Sequence, residues 1–354
     1  TKDAGRRTPS KWGGFLRRIG FDPLRYGIPP SSLAAIEPVQ LLSLEVAARA
    51  LADAGYAERE FDRSKASVIF GTESGNELGG AYGVRAFLPQ LFGELPAALE
   101  EWLPSLTEDS FPGVLANVIA GRIANRLDLG GTNCVTDAAC ASSFSAISMG
   151  MNELYLGDSD MVIAGGVDTM NEVFMYMCFS KTPALSKTED IRPFSDRADG
   201  TMLGEGVGMV ALKRLADAER DGNHVYCVVN GVGTSSDGRS KSVYAPVSAG
   251  QARALDDAYA KAGVPVPTNW DEFVASAPAL EKAGVIPLAL GNQPWQSNLA
   301  FGAMQVAIGG LDLWKKVNVE KDMAAAAGPE FGKVFEAAAN ARKLAEKSTV
   351  QDWN

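Results

Sequence analysis

The chain has 354 residues, more than one compact core usually holds, so we expect two domains or one large α/β unit with an extra lobe. Apolar residues make up 46% of the sequence, which excludes an intrinsically disordered chain. There are 43 acidic and 33 basic residues, and the net charge of −10 argues against binding to a nucleic-acid backbone.

Cysteine and histidine are scarce. Four cysteines in 354 residues are too few for a disulfide framework. The cysteines and the single histidine, His224, are not spaced as in a typical metal site. We therefore expect no metal, and we interpret His224 as a surface residue. The sequence contains no apolar run near the roughly 20 residues of a membrane-spanning helix, and no signal peptide is visible at its start.

Strand and helix patterns alternate along most of the chain, after a basic segment, residues 1–18, that is typical of an arm. Periodicity predicts helices at 38–54, 85–106, 114–127, 141–156 and 248–262, and strands at 66–70, 133–136, 161–164, 207–212 and 225–232. This alternation is typical of an α/β fold with a largely parallel sheet and helices on its faces.

The pattern changes near residue 264. A Pro-rich turn leads into predicted helices at 273–283, 297–309, 311–317 and 329–347, with one short strand at 286–290. We therefore divide the chain into residues 1–263, which include the arm, and a mainly helical α/β tail, residues 264–354.

The most informative motif is a cysteine between a predicted strand and a predicted helix. Residues 137–143 read DAACASS, so Cys140 lies at or near a helix N-terminus. Free N–H groups and the helix dipole there favour a thiolate and can hold an oxyanion. The alternative is a buried core cysteine, as many free cysteines are.

Several motifs around this cysteine occur in the order found in β-ketoacyl synthases, the condensing domains of fatty-acid and polyketide synthases. They are IEPVQ at 36–40, GGTNCVTDAACASS at 130–143, AGGVD at 164–168, FSKTPALS at 179–186, IRPFSDRADG at 191–200, GEGVG at 204–208 and DGRS at 237–240. About residues 10–263 resemble this family, most nearly the synthases of polyketides and polyunsaturated fatty acids.

The resemblance implies a thiolase-like fold with a layered αβαβα core, incomplete here in its second half. It implies an acyl group carried on Cys140, whose backbone N–H forms part of the oxyanion hole. It also implies decarboxylative Claisen condensation, with acyl groups delivered on the phosphopantetheine of an acyl carrier protein and no further cofactor. The motifs at 179–186 and 191–200 resemble the loop that covers the family's active site, called the covering loop below. Thr182 and Phe194 in this loop become candidate substrate contacts. A homodimer in the cytoplasm is the expected assembly.

The chain also departs from the family. The two histidine motifs of condensing enzymes, the Lys before the second and the Gly-rich C-terminal loop are not found in the sequence. We therefore expect condensation to be impaired, while acylation of Cys140 survives weakly.

The tail resembles something else. Residues 261–273 (KAGVPVPTNWDEF) and 283–296 (AGVIPLALGNQPWQ) are similar to the interior of periplasmic sugar-binding proteins of ABC transporters. This resemblance makes Gln293, Trp295 and Gln296 candidate sugar contacts and implies a periplasmic relative. The alternative, which we favour, is that Trp295 and Trp270 pack inside the fold.

Three functions remain open from the sequence. The first is a ketosynthase-like chain that can be acylated on Cys140, and the second is a sugar-binding module in the tail. The third is a non-catalytic composite chain that binds partners.

Overall fold

A computed structural model describes residues 8–73, 77–182, 184–192, 197–239, 245–282 and 294–345. For residues 279–282, 294–300 and 345 it describes the backbone alone. The chain falls into two compact units, Thr1–His224 and Val225–Asn354. The boundary at residue 263 that the sequence suggests stays a prediction.

The first unit alternates helices and strands. Its strands are β1 (Ala66–Gly71), β2 (Asn133–Thr136), β3 (Met161–Asp168) and β4 (Gly206–Leu212). Its α-helices are α1 (Pro38–Leu51), α2 (Glu77–Phe92), α3 (Ala97–Trp102), α4 (Ser110–Val114), α5 (Asn117–Arg126), α6 (Ser142–Leu156), α7 (Val173–Lys181) and α8 (Leu215–Arg220). Short 3-10 turns occur at Leu24–Tyr26, Pro30–Ala35, Arg63–Lys65 and Ala139–Ala141, and a π turn at Ala52–Tyr56 follows α1.

The four strands form one sheet in the order β2-β1-β3-β4. β1 pairs in parallel with both β2 and β3, and β4 runs antiparallel to β3. All six residues of β1 are buried, as expected for a strand with helices on both faces. The carboxyl ends of β1, β2 and β3 therefore meet at one edge of the sheet.

Helices cover both faces of this sheet. α1 and α5 lie on one face, where Leu44, Phe70 and Ile123 are among the fully buried core residues. α6 lies on the other face, where Ile69, Ala146 and Val162 form a second core cluster. The α/β architecture with helices on both faces of a sheet is thus confirmed, whereas a second sheet, needed for a layered αβαβα core, is not found among the described residues.

Part of the predicted arm is anchored to this unit. The N–H of Gly14 donates to the Leu203 carbonyl at 2.9 Å, and the Leu16 N–H donates to Oε2 of Glu205 at 2.9 Å. The Tyr176 hydroxyl donates to the Trp12 carbonyl at 2.8 Å. Residues 1–7 lie outside the described part of the chain.

The regular elements described in the second unit are all helices. It contains α9 (Ser248–Ala262), α10 (Trp270–Lys282), α11 (Pro294–Asn318), α12 (Met323–Ala326) and α13 (Pro329–Ala345). α9 has the predicted bounds and is capped by Gly263, whose φ of 67° is a left-handed conformation that glycine adopts without strain. Met304, Leu313, Phe331 and Val334 form the core between α11 and α13.

The strand predicted at 225–232 is wrong, because these residues form no strand. β-branched residues favour a strand only where another strand offers backbone partners, and no strand occurs in the described residues of this unit. The strand predicted at 286–290 lies outside the described residues. Within the described ranges, every helix is too short or too polar to cross a bilayer.

Candidate functional site

Cys140 lies on an exposed elbow between β2 and α6. β2 ends at Thr136, and a 3-10 turn at Ala139–Ala141 leads directly into α6 at Ser142. The Cys140 side chain is exposed, which the alternative of a buried core cysteine does not fit. The Cys140 N–H is one of the first amides of this helical segment, and such amides have no acceptor within the helix.

The turn before Cys140 has an uncommon backbone conformation. Ala139 has φ of 49°, in the left-handed region that residues other than glycine rarely occupy. Oδ1 of Asp137 accepts a hydrogen bond from the Ala139 N–H at 2.9 Å. The Ser142 hydroxyl accepts one from the Ala138 N–H at 2.8 Å and donates one to the Ala139 carbonyl at 2.7 Å. Two flanking side chains thus hold the turn.

Two glycines at the carboxyl ends of neighbouring strands let α6 approach the sheet closely. A Cβ added to Gly71 of β1 would overlap the Ser142 carbonyl group and lie 2.7 Å from the Ser143 nitrogen. A Cβ added to Gly166 of β3 would lie 2.9 Å from Cβ of Ser143. Because these two positions carry no side chain, the first turn of α6, which follows Cys140, can pack directly against the sheet.

The end of the sheet near the elbow is acidic. Partial burial raises the pKa of the Glu73 carboxyl, and the negative charges of Asp168 and Asp137 raise it further. On β2, burial and then the negative charge of Glu153 raise the pKa of the Cys134 thiol, which disfavours its thiolate form. All four cysteines are unpaired.

Hydrogen bonds to Asp199 join two segments of the predicted covering loop. The Ser186 hydroxyl donates to Oδ1 of Asp199 at 2.7 Å, and the Lys187 N–H donates to Oδ2 of the same carboxylate at 3.2 Å. These hydrogen bonds, the one from Ser186 foremost, lower the pKa of Asp199. Thr182 is exposed, and its hydroxyl donates to the Cys178 and Phe179 carbonyls of its own helix. Phe194 lies outside the described residues, so both substrate contacts stay predictions.

Glu37, a charged residue that is only 2% exposed, is not among the site residues that sequence patterns indicate. Its Oε1 accepts hydrogen bonds from the Leu78 N–H at 2.8 Å and the Gly79 N–H at 3.4 Å. Glu37 also lines a cavity of about 540 Å³ beside Glu77, Glu172 and Glu205. The position of Glu37 directly before Pro38 indicates that it begins a helix, α1. Nothing in the neighbouring sequence indicates that its carboxyl group is buried.

The candidate sugar contacts of the tail stay predictions. Gln293 lies outside the described residues, and only the backbone of Trp295 and Gln296 is described, in the first turn of α11. Trp270 packs against the core of the second unit and contacts Phe273, with ring centroids 5.4 Å apart. The packing role favoured for Trp270 is therefore confirmed.

The sequence profile of the β-ketoacyl synthase N-terminal domain matches residues 1–218, more than half of the chain. The chain belongs to the β-ketoacyl synthase family. The resemblance inferred from the motifs around Cys140 is thus confirmed for this region. The family region includes the elbow, the covering loop and β4.

Relatives of this ketosynthase chain are synthases of polyunsaturated fatty acids and polyketides. It is 36% identical over 269 residues to a polyunsaturated fatty acid synthase of Thraustochytrium sp., covering 72% of this chain and 10% of that protein. It is 36% identical over 259 residues to the polyketide synthase PksN of Bacillus subtilis, covering 73% of this chain and 4% of that protein. The chain therefore spans a small fraction of the length of these relatives.

A solved structure has the same fold. The ketosynthase from module 6 of the bacillaene synthase from Bacillus subtilis 168 superposes with a TM-score of 0.58 at 30% identity, covering 69% of this chain and 39% of that chain. This similarity confirms the α/β, thiolase-like part of the predicted fold.

The comparisons do not support a separate origin of the tail. A phenolphthiocerol/phthiocerol polyketide synthase of Mycobacterium tuberculosis is 34% identical over 316 residues, covering 87% of this chain and 16% of that protein. Residues 1–263 are only about 74% of the chain (263 of 354), so this alignment extends into the segment that resembles a sugar-binding protein. These relatives give no support to the composite-chain, sugar-binding or periplasmic predictions.

Proposed function

We propose that this ketosynthase chain accepts an acyl group on Cys140, the first half-reaction of a β-ketoacyl synthase. The observation that carries the proposal is the exposed thiol at the start of α6, on a turn that the Asp137 and Ser142 side chains hold. Membership of the family gives the chemistry, and the elbow supplies an exposed thiol whose own backbone N–H lies at the start of the helical segment.

The proposed step is a thioester exchange. The Cys140 thiolate attacks the carbonyl carbon of an acyl thioester, and a new bond forms between Sγ and that carbon. The Cys140 N–H donates to the developing oxyanion, as one donor of the oxyanion hole. The carbon–sulfur bond to the carrier then breaks, and the released thiol takes up the proton that Cys140 lost. No oxidant or reductant is required.

Mass spectrometry of the intact chain, followed by peptide mapping, tests the proposal. After incubation with an acetyl thioester of N-acetylcysteamine, we expect one acetyl group, located on Cys140 and absent from a Cys140→Ala variant. Cys227 is also exposed and serves as a control within the same molecule. Equal labelling of Cys140 and Cys227, or no labelling of Cys140, would refute the proposal.

We further propose that these 354 residues alone do not complete the condensation. His224 is the single histidine of the sequence and is exposed, and condensing enzymes of this family use two histidines. An acylated chain supplied with a malonyl thioester is expected to release no carbon dioxide above the rate of the Cys140→Ala variant. Release that depends on Cys140 would show that the chain does condense.

The proposed partners are an acyl carrier protein and a second copy of this chain. The relatives are much longer synthases of polyunsaturated fatty acids and polyketides, and the resemblance to β-ketoacyl synthases implies acyl groups delivered as thioesters on a carrier. β2 is an edge strand of the sheet and has exposed or half-buried residues, so its backbone can pair with another strand. Sedimentation equilibrium is expected to give twice the mass of the chain, and a monomer at micromolar concentration would contradict the dimer.

A further inference from the structure

The Ser142 side chain makes two hydrogen bonds to the backbone of the turn that precedes Cys140. Its hydroxyl accepts from the Ala138 N–H at 2.8 Å and donates to the Ala139 carbonyl at 2.7 Å. Ser142 is 7% exposed, so both bonds are largely shielded from competing water. A third hydrogen bond, from the Ala139 N–H to Oδ1 of Asp137, restrains the peptide group between Ala138 and Ala139.

The carbonyl that Ser142 contacts belongs to the same peptide group as the Cys140 N–H. A trans peptide is planar, and its C=O and N–H point in opposite directions. Fixing the Ala139 carbonyl therefore fixes the direction of the Cys140 N–H. A hydrogen bond to the carbonyl also polarises the peptide and strengthens its N–H as a donor.

The left-handed φ of 49° at Ala139 makes this restraint necessary. A non-glycine residue keeps such a conformation only where its surroundings over-determine it. Without the Ser142 hydroxyl, the Ala138 N–H loses its acceptor, and the Ala139 carbonyl keeps only the Ser142 backbone N–H as a donor. With fewer bonds to hold it, Ala139 can relax toward a negative φ. That rotation turns the Cys140 N–H away from its present direction.

We infer that Ser142 is a positioning residue for acylation: its hydroxyl aims the Cys140 N–H at the oxyanion through the Ala139 carbonyl. This inference rests on the proposed acylation of Cys140. It assigns no contact between Ser142 and the substrate.

Two reactions of the same thiol separate positioning from mere stability. Acetylation of Cys140 by the N-acetylcysteamine thioester needs an oriented amide at the carbonyl oxygen, whereas alkylation by iodoacetamide needs only an accessible thiol. In folded Ser142→Ala, we expect acetylation to slow on the order of tenfold or more, and alkylation to change less than about twofold. Ser148→Ala, in the same helix two turns further on, is the matched control and is expected to leave both rates unchanged.

A second pair of variants keeps the test decisive if Ser142→Ala does not fold. Ser142→Thr and Ser142→Val add the same volume and differ in the hydroxyl, so Thr is expected to acetylate faster than Val on the order of tenfold, with similar alkylation rates. If the wild-type chain is acetylated on Cys140 and variants without the hydroxyl are acetylated as fast, or if both reactions slow equally, Ser142 has no positioning role. If the wild type is not acetylated at all, the proposed function fails, and the inference fails with it.

Discussion

At the scale of single residues, the least expected feature is a nearly buried carboxyl group at the start of α1. Burial raises the pKa of Glu37 above its ordinary value of 4.5, and hydrogen bonds from Leu78 and Gly79 offset this in part. The charges of Glu77 and Glu172 raise the pKa further. The folded chain therefore binds the Glu37 proton more tightly than the unfolded chain does.

This difference gives a pH-dependent stability with a defined sign. A carboxyl whose pKa is raised on folding stabilises the fold at low pH, and that stabilisation is lost as the pH rises above 4.5 through the folded-state pKa. Glu37→Gln keeps an oxygen acceptor for the Leu78 N–H and does not titrate. We expect the variant to gain stability relative to the wild type as the pH rises from 4.5 to neutrality, measured by urea unfolding at each pH. A wild type that gains stability relative to the variant over that range would contradict the assignment.

At the scale of elements, α6 packs closely on the sheet because the backbone of its first turn lies directly against Gly71 of β1. The Gly71→Ala variant places a methyl group against the Ser142 carbonyl and the Ser143 nitrogen, which belong to backbone and cannot rotate away. Overpacking of this kind costs about 1–3 kcal/mol, so we expect the free energy of unfolding to fall by that amount. Because the first turn of α6 must shift, acetylation of Cys140 is expected to slow as well.

A glycine on the same sheet provides the control for Gly71. Gly208 of β4 is exposed, and an added Cβ would have nothing within 4 Å. Gly208→Ala is expected to leave acetylation unchanged and stability unchanged or raised by about 0.5–1 kcal/mol, since alanine is entropically favoured over glycine in a strand. Equal effects of the two substitutions would show that α6 is not held by the close approach at Gly71.

The elements that sequence patterns located well are those whose signals are local. β1, β2 and α6 lie within a few residues of their predicted bounds, because β-branched runs and helical periodicity are properties of the segments themselves. The predicted site residue Cys140 shares this local origin. The hydroxyl of Ser142, the burial of Glu37 and the Ser186–Asp199 contact depend on how the turns fold back, and no spacing in the sequence reveals them.

At the scale of the whole molecule, the chain is organised in two units with separate cores. Ile163 of β3 is fully buried in the core between the sheet and the helices α1 and α5 of the first unit. Phe331 is 4% exposed in the helical core of the second unit. The sequence indicated two parts from a change of pattern near residue 264, whereas the structure divides at His224. Residues 225–232 resemble a strand by composition, but they form no strand in the structure.

Separate cores predict that a cavity in one unit weakens that unit first. Ile163→Ala removes buried atoms from the first core and should cost about 2–5 kcal/mol, and Phe331→Ala should cost the second core about 3–5 kcal/mol. Hydrogen exchange followed by mass spectrometry can report the two units independently. We expect Ile163→Ala to speed exchange in β1 and β3 and leave α13 unchanged, and Phe331→Ala to do the reverse. If either substitution speeds exchange equally in both units, the two cores unfold as one, and the division at His224 has no energetic meaning.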